Sequence, residues 1–288
     1  MEACHLNLDD AWGDSPLGLP RVDAREWGPR LRRFAPEADL STFAGRVLTP
    51  LPPLVVYGSG DFHHLSGWLL RRVSGPVTVL SFDSQADWDV RPPRWTHRGW
   101  LNRAIELPRV ARVAVWGCDR SELNWPSLLF ANRGARRCGR ITVYPWADRP
   151  AAVGHAVTRE NWRERFLAFL KGLAGTGVYV TLDLGCLRGE DFTSNRGRGR
   201  FTAEDLAWAV ERVRTTCRLV AGDVCGAYSP FHGERTAQRL ANAWNQRKQT
   251  AVDLPAARAR NLAALAMILP ALQGSALTES TLPATTTC

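Results

Sequence analysis

Short β-branched runs, each followed by a turn and then a helical pattern, constrain the fold of this chain more than any other feature. They fall at 54–57, 77–80, 113–116, 141–144, 178–181 and 219–220. The runs are continuously apolar rather than alternating, as expected of strands in a parallel sheet covered on both faces. Helical periodicity fills the intervals at about 64–73, 100–106, 159–172 and 203–214, and again at about 234–247 and 255–272. Thr202-Ala203-Glu204-Asp205 resembles a capping box with Asp in place of Glu and marks one helix start. Strand and helix in alternation give a three-layer α/β/α sandwich with a mainly parallel, doubly wound sheet.

The chain divides into three parts on this reading. Residues 1–50, broken by Pro16, Pro20, Pro29 and Pro36, form an irregular extension packed on the core. Residues 51–273 form one α/β domain, and 274–288, rich in Thr and Ser, form a disordered tail. No window reaches the about 18 uncharged apolar residues of a membrane span. The opening residues, Met1 to Asp10, carry no apolar run, so no secretory signal is expected and the cytoplasm is the expected location.

Basic residues outnumber acidic ones 37 to 28, a net charge of +9. All but Lys171 and Lys248 are arginines, scattered along the chain rather than gathered in a stripe. Such an excess speaks to solubility more than to a specific partner, and nucleic acid is not the expected one. The Arg196-Gly197-Arg198-Gly199-Arg200 run reads as a solvated loop. The 7 cysteines include no Cys-x-x-Cys pair, and Cys118, Cys186, Cys217 and Cys225 lie beside apolar runs as small buried hydrophobes.

In open α/β sheets ligands sit beyond the carboxyl ends of the strands. The residues there are Gly58-Ser59-Gly60-Asp61-Phe62-His63-His64, Asp83-Ser84-Gln85-Ala86-Asp87, Asp183-Leu184-Gly185-Cys186 and Gly222-Asp223-Val224-Cys225-Gly226. If the second strand continues, alternation points Asp83, Gln85 and Asp87 the same way. Carboxylates converging on one strand edge repel one another unless a cation balances them, and with a histidine they make a hard site suited to Mn2+. Each Asp could equally be a separate helix cap or an arginine partner. No dinucleotide fingerprint, Walker loop or nucleophile elbow is present.

Taken in order, these segments resemble the motifs of the ureohydrolase family of arginase, agmatinase and formimidoylglutamase. Ser59-Gly60-Asp61-Phe62-His63 resembles Gly-Gly-Asp-His with Phe62 inserted, and His64 is the alternative to His63. Asp83-Ser84-Gln85-Ala86-Asp87 resembles Asp-x-His-x-Asp, and Thr181-Leu182-Asp183-Leu184-Gly185 resembles Ser/Thr-x-Asp-x-Asp. Asp223-Val224-Cys225-Gly226 resembles Asp-Val-Val-Glu, and the likeness covers 57–230. The resemblance implies a metal site of His63, Asp83, Asp87 and Asp183, with Asp87 and His97 placed at the chemistry and His97 moving a proton near the substrate.

It also implies departures. The second ion of the family would take its private ligands from the positions of Gln85 and Gly185, which supply none. The carboxylate that grips a guanidinium stands where this chain has Gly226, losing a charge-assisted bond of about 1.5–3 kcal/mol. The related deacetylases hold their zinc at the half missing here. The expectation is a hydrolase of a non-peptide C–N bond in a small amidine or guanidine-type molecule other than arginine. It would hold one divalent ion, manganese by preference, and the family's habit of assembling as trimers or hexamers implies a homo-oligomer without fixing its size. The competing expectation is an inactive relative used for binding or assembly, holding no ion, with an arginine of the 188–200 loop reaching Asp83 and Asp183.

Overall fold

A computed structural model describes residues 1–149, 154–195, 199–246 and 252–274. Among the described residues eight strands form one sheet: β1 (Ala3–Asn7), β2 (Arg21–Asp23), β3 (Leu54–Tyr57), β4 (Val77–Phe82), β5 (Val110–Trp116), β6 (Ile141–Tyr144), β7 (Gly177–Asp183) and β8 (Arg218–Cys225). Their order is β2-β1-β3-β8-β7-β4-β5-β6, and every pairing is parallel. The expected sandwich is therefore present.

Alternation along each strand sorts the side chains into two cores. Leu54, Val56, Leu80, Phe82, Val178, Val180, Leu182 and Val224 pack with the helices Trp162–Lys171, Ala203–Thr216 and Leu254–Gln273. Val55, Tyr57, Val79, Tyr179, Ala221 and Cys225 pack on the other side with Leu65–Leu69 and Trp100–Ala104. The Ala203–Thr216 helix opens on the capping box expected at Thr202 and Asp205.

The stretch before residue 51 departs from the irregular extension expected of it, because it contributes β1 and β2. All five residues of β1 are buried between β2 and β3. Its polar letters disguise it: His5 and Asn7 are buried in the strand, and Asn7 exchanges hydrogen bonds with Asp10. Burial holds His5 down at about 4, so it stays uncharged there. The expected tail from Ser275 onward and the arginines Arg196 and Arg198 lie outside the described residues. No helix among the described residues is long and apolar enough to cross a membrane.

Candidate metal centre

The centre sits where β3, β4, β7 and β8 end, on the face of the second core. After β3 the chain makes a tight turn at Gly60–Phe62, and buried Phe62 anchors it so that His63 follows at the head of Leu65–Leu69. His63 Nδ1 lies 3.1 Å from Asp83 Oδ2, 3.0 Å from Asp87 Oδ2 and 3.9 Å from Asp183 Oδ2. Of the two candidate histidines it is His63 that faces the carboxylates. His64 is wholly buried with neither ring nitrogen hydrogen-bonded, and burial lowers it to about 3.

Asp87 arrives by a different route from the one alternation suggests. β4 ends at Phe82, and Asp87 takes a left-handed backbone (φ 45°), an uncommon conformation for a residue other than glycine. That turn, rather than a continued strand, aims its carboxylate at His63. The indole of Trp100 donates to Asp87 Oδ2 at 2.8 Å and lies with its ring centroid 4.9 Å from that of His63.

Asp183 is held just as tightly. Its Oδ1 accepts from the Gly185 amide at 2.8 Å, as cap of the turn Leu184–Cys186. A Cβ at Gly60 or at Gly226 would overlap its carboxylate, and Gly226 has φ 109°. Gly226 is therefore filled space rather than the hole left by a lost side chain. Gln85 lines the same cleft, and its backbone N–H donates to Asp83 Oδ1 at 2.9 Å.

Beneath His63 runs a buried polar column that the sequence reading passes over. Thr181 Oγ1 lies 2.9 Å from His63 Nε2 and donates to Asp223 Oδ1 at 2.8 Å. Asp223 also accepts from Ser66 Oγ at 3.0 Å, from Tyr57 and from Tyr179. Since Thr181 spends its proton on Asp223, its oxygen accepts from His63 Nε2–H, which leaves the lone pair of a neutral imidazole on Nδ1. The signal was available: Tyr179, Thr181 and Asp183 alternate along β7, as Asp223 and Cys225 do along β8. Polar side chains at every second position are out of place in a strand buried on both faces.

The electrostatics follow from crowding. Burial, then the charges of Asp87 and Asp183, raise Asp83 well above the ordinary carboxylate range. Burial also raises Asp183, against the pull of His63 and the Gly185 amide. Burial alone would lower His63, but Asp83 and Asp87 outweigh it and hold the imidazole well above its usual value. Without a cation the cluster retains protons. His63 Nδ1 meets only the crowded carboxylates, and Asp87 Oδ1 is buried with no hydrogen-bond partner. An imidazole nitrogen and three carboxylates around a common space suit a divalent cation. The enclosed room there is about 10 Å3, the space of one water or ion.

His97 lines the rim of the cleft. Its amide and its Nδ1 both lie 2.9 Å from the carbonyl oxygen of Arg33, whose φ is 67°. A carbonyl only accepts, so Nδ1 carries the proton and the neutral ring keeps its lone pair on Nε2. Asp61, also at the cleft, is engaged by Arg32 at 2.8 Å and Arg33 at 3.3 Å. Among the described arginines of the 188–200 loop, Arg188 pairs with Asp191 and Arg200 with Asp148, not with Asp83 or Asp183.

No family model matches the chain. A stretch of 66 residues is 29% identical to an uncharacterized protein of Thermotoga maritima. That match covers 23% of this chain and only 27% of the relative's length. Solved structures align far more widely. A putative agmatinase from Clostridium difficile superposes with a TM-score of 0.56 over 94% of this chain and 96% of its own, at 12% identity. A formiminoglutamase variant from Trypanosoma cruzi, crystallised with Mn2+, superposes with a TM-score of 0.52 over 83% and 89%, at 16% identity. With its single all-parallel sheet flanked by helices, the chain has the α/β fold of the arginases, agmatinases and formimidoylglutamases.

Proposed function

We propose that the protein is a metal-dependent hydrolase of a non-peptide C–N bond in a small amidine-type molecule, working with one divalent ion. The observation that carries this reading is the approach of His63 Nδ1 to the carboxylates of Asp83, Asp87 and Asp183 within 3.9 Å. The shared fold supports it, as does the Mn2+ named with the Trypanosoma cruzi formiminoglutamase. Nδ1 of His63 and one oxygen each of Asp83, Asp87 and Asp183 would hold the ion. The chemistry supplied when an ion is bound is the acidification of a water molecule.

The residues themselves divide the remaining work. Thr181 and Asp223 hold His63 in the tautomer that offers Nδ1. Trp100 and the Gly185 amide fix Asp87 and Asp183 in position. His97, with Nδ1 committed to the Arg33 carbonyl, takes up a proton at Nε2 and returns it to the leaving nitrogen. Asp87 shares in the chemistry by positioning what lies between it and His63. The absence of any carboxylate at Gly185 and Gly226 argues for a substrate less dependent on a cationic anchor than arginine.

The same two glycines favour a second reading, a binding or assembly protein that has given up catalysis. Metal content of the purified protein after supply of Mn2+, Zn2+, Fe2+, Co2+ and Ni2+, with Asp87→Ala as control, separates the two. One ion per chain, lost in the variant, together with ammonia or urea release from a panel of amidines, supports the hydrolase. No bound ion overturns it, and an ion without turnover leaves the binding protein.

A further inference from the structure

Cys225 closes β8 directly opposite Asp183 in the parallel register. Alternation along β8 turns it to the same face as Asp223, toward His63 rather than toward the other core. It is wholly buried. A nitrogen of His63, an oxygen of Asp183 and Sγ of Cys225 all lie within 4.8 Å of one another. Three donors sharing one ion at about 2.0–2.3 Å stand about 3–4 Å apart. Side-chain movement within that span brings the three onto one centre, and His63 links them to the separate group it forms with Asp83 and Asp87. Asp87 Oδ1, at the same centre, is buried without a hydrogen-bond partner.

We propose that Cys225 supplies a sulfur donor to the ion held by His63 and the carboxylates, so that the centre takes a thiophilic divalent ion such as Zn2+ in preference to Mn2+. This rests on the single-ion reading above and deepens it by naming the class of ion. Three carboxylates and one imidazole suit manganese; a thiolate added to them shifts the choice toward zinc and cobalt. On binding, the S–H bond breaks, its electron pair passes to the ion and the proton leaves to solvent.

Cobalt titration of the metal-stripped full chain tests this. Visible d–d bands report Co2+ bound by any donors, whereas an intense near-ultraviolet sulfur-to-cobalt band reports a thiolate alone. The wild type is expected to show both. Cys225→Ser and Cys225→Ala, with melting curves confirming that each is folded, are expected to keep the visible bands and lose the near-ultraviolet one. In competition, the preference for Zn2+ over Mn2+ falls in both variants. Visible bands without the near-ultraviolet band in the wild type overturn the role of Cys225 and leave the single-ion reading standing. A near-ultraviolet band surviving in both variants does the same. No visible bands at all overturn both.

Discussion

Thr181 stands between His63 and Asp223, 2.9 Å from the imidazole and 2.8 Å from the carboxylate, so a strand residue sets which nitrogen the histidine offers. Thr181→Val keeps the shape and removes both contacts. It leaves buried polar groups unsatisfied at a cost of about 1–3 kcal/mol. Ion affinity falls about 10- to 100-fold, as when a supporting partner of a ligand histidine is lost. Calorimetric titration with Mn2+ and Zn2+, alongside denaturant unfolding, measures both effects. Unchanged affinity would show that His63 needs no such support.

Restoring a carboxylate at position 226 is expected to harm the protein. A side chain there collides with Asp183 and imposes a left-handed backbone on a residue other than glycine. Gly226→Glu should lower the melting temperature and abolish stabilisation by added ion, and Gly226→Ala should do so to a lesser degree. Recovery of arginine hydrolysis by Gly226→Glu at wild-type stability would refute the packing argument.

Crowded acids make stability fall with pH when no ion is bound. Asp83 and Asp183 have raised values in the folded state, so it holds protons that the unfolded chain has already released above the usual carboxylate range. His63 is raised as well, and its contribution is present below about 6.5 and lost as pH rises through the higher folded value. These effects have one sign, whereas the depressed His5 and His64 oppose them below about 6.5, where the unfolded chain takes up protons that those buried rings do not. The chelator-treated protein should therefore melt progressively lower as pH rises from about 6.5 to 8. Added divalent ion should reverse the trend, by about 2.7 kcal/mol at a hundredfold excess over Kd. Melting curves across this range, with and without ion, decide the matter.

Removing one of the repelling charges separates stability from binding. Asp83→Asn keeps an oxygen for the Gln85 amide while deleting a carboxylate beside Asp87 and Asp183. The ion-free variant is expected to melt above the wild type at pH 8, and ion is expected to give it no further stabilisation. A variant that melts lower and still binds would contradict the assignment of Asp83.

Much of this was legible in the chain. The apolar runs gave six strands of the eight because full burial leaves a plain signal, and the Thr202–Asp205 box marked its helix start because capping is local. β1 was hidden because His5 and Asn7 are partnered or neutralised only once it is paired on both sides. The candidate residues His63, Asp83, Asp87 and Asp183 came from the ordered motifs that resemble those of the ureohydrolases. Asp87 is aimed by a positive φ, which no letter of the sequence announces. The support of His63 by Thr181 and Asp223 joins residues from two strands distant from it in sequence. His97 is fixed by a backbone carbonyl, a partner that side-chain identity cannot reveal.

The strand order carries a consequence for how the chain matures. β8 alone joins the trio β2-β1-β3 to the quartet β7-β4-β5-β6, and it is synthesised after all of them. His63 follows a strand of the trio, whereas Asp83 and Asp183 belong to the quartet. The imidazole and its carboxylates are held together across that seam, so an ion bound between them would favour the fully joined sheet over any partly assembled one.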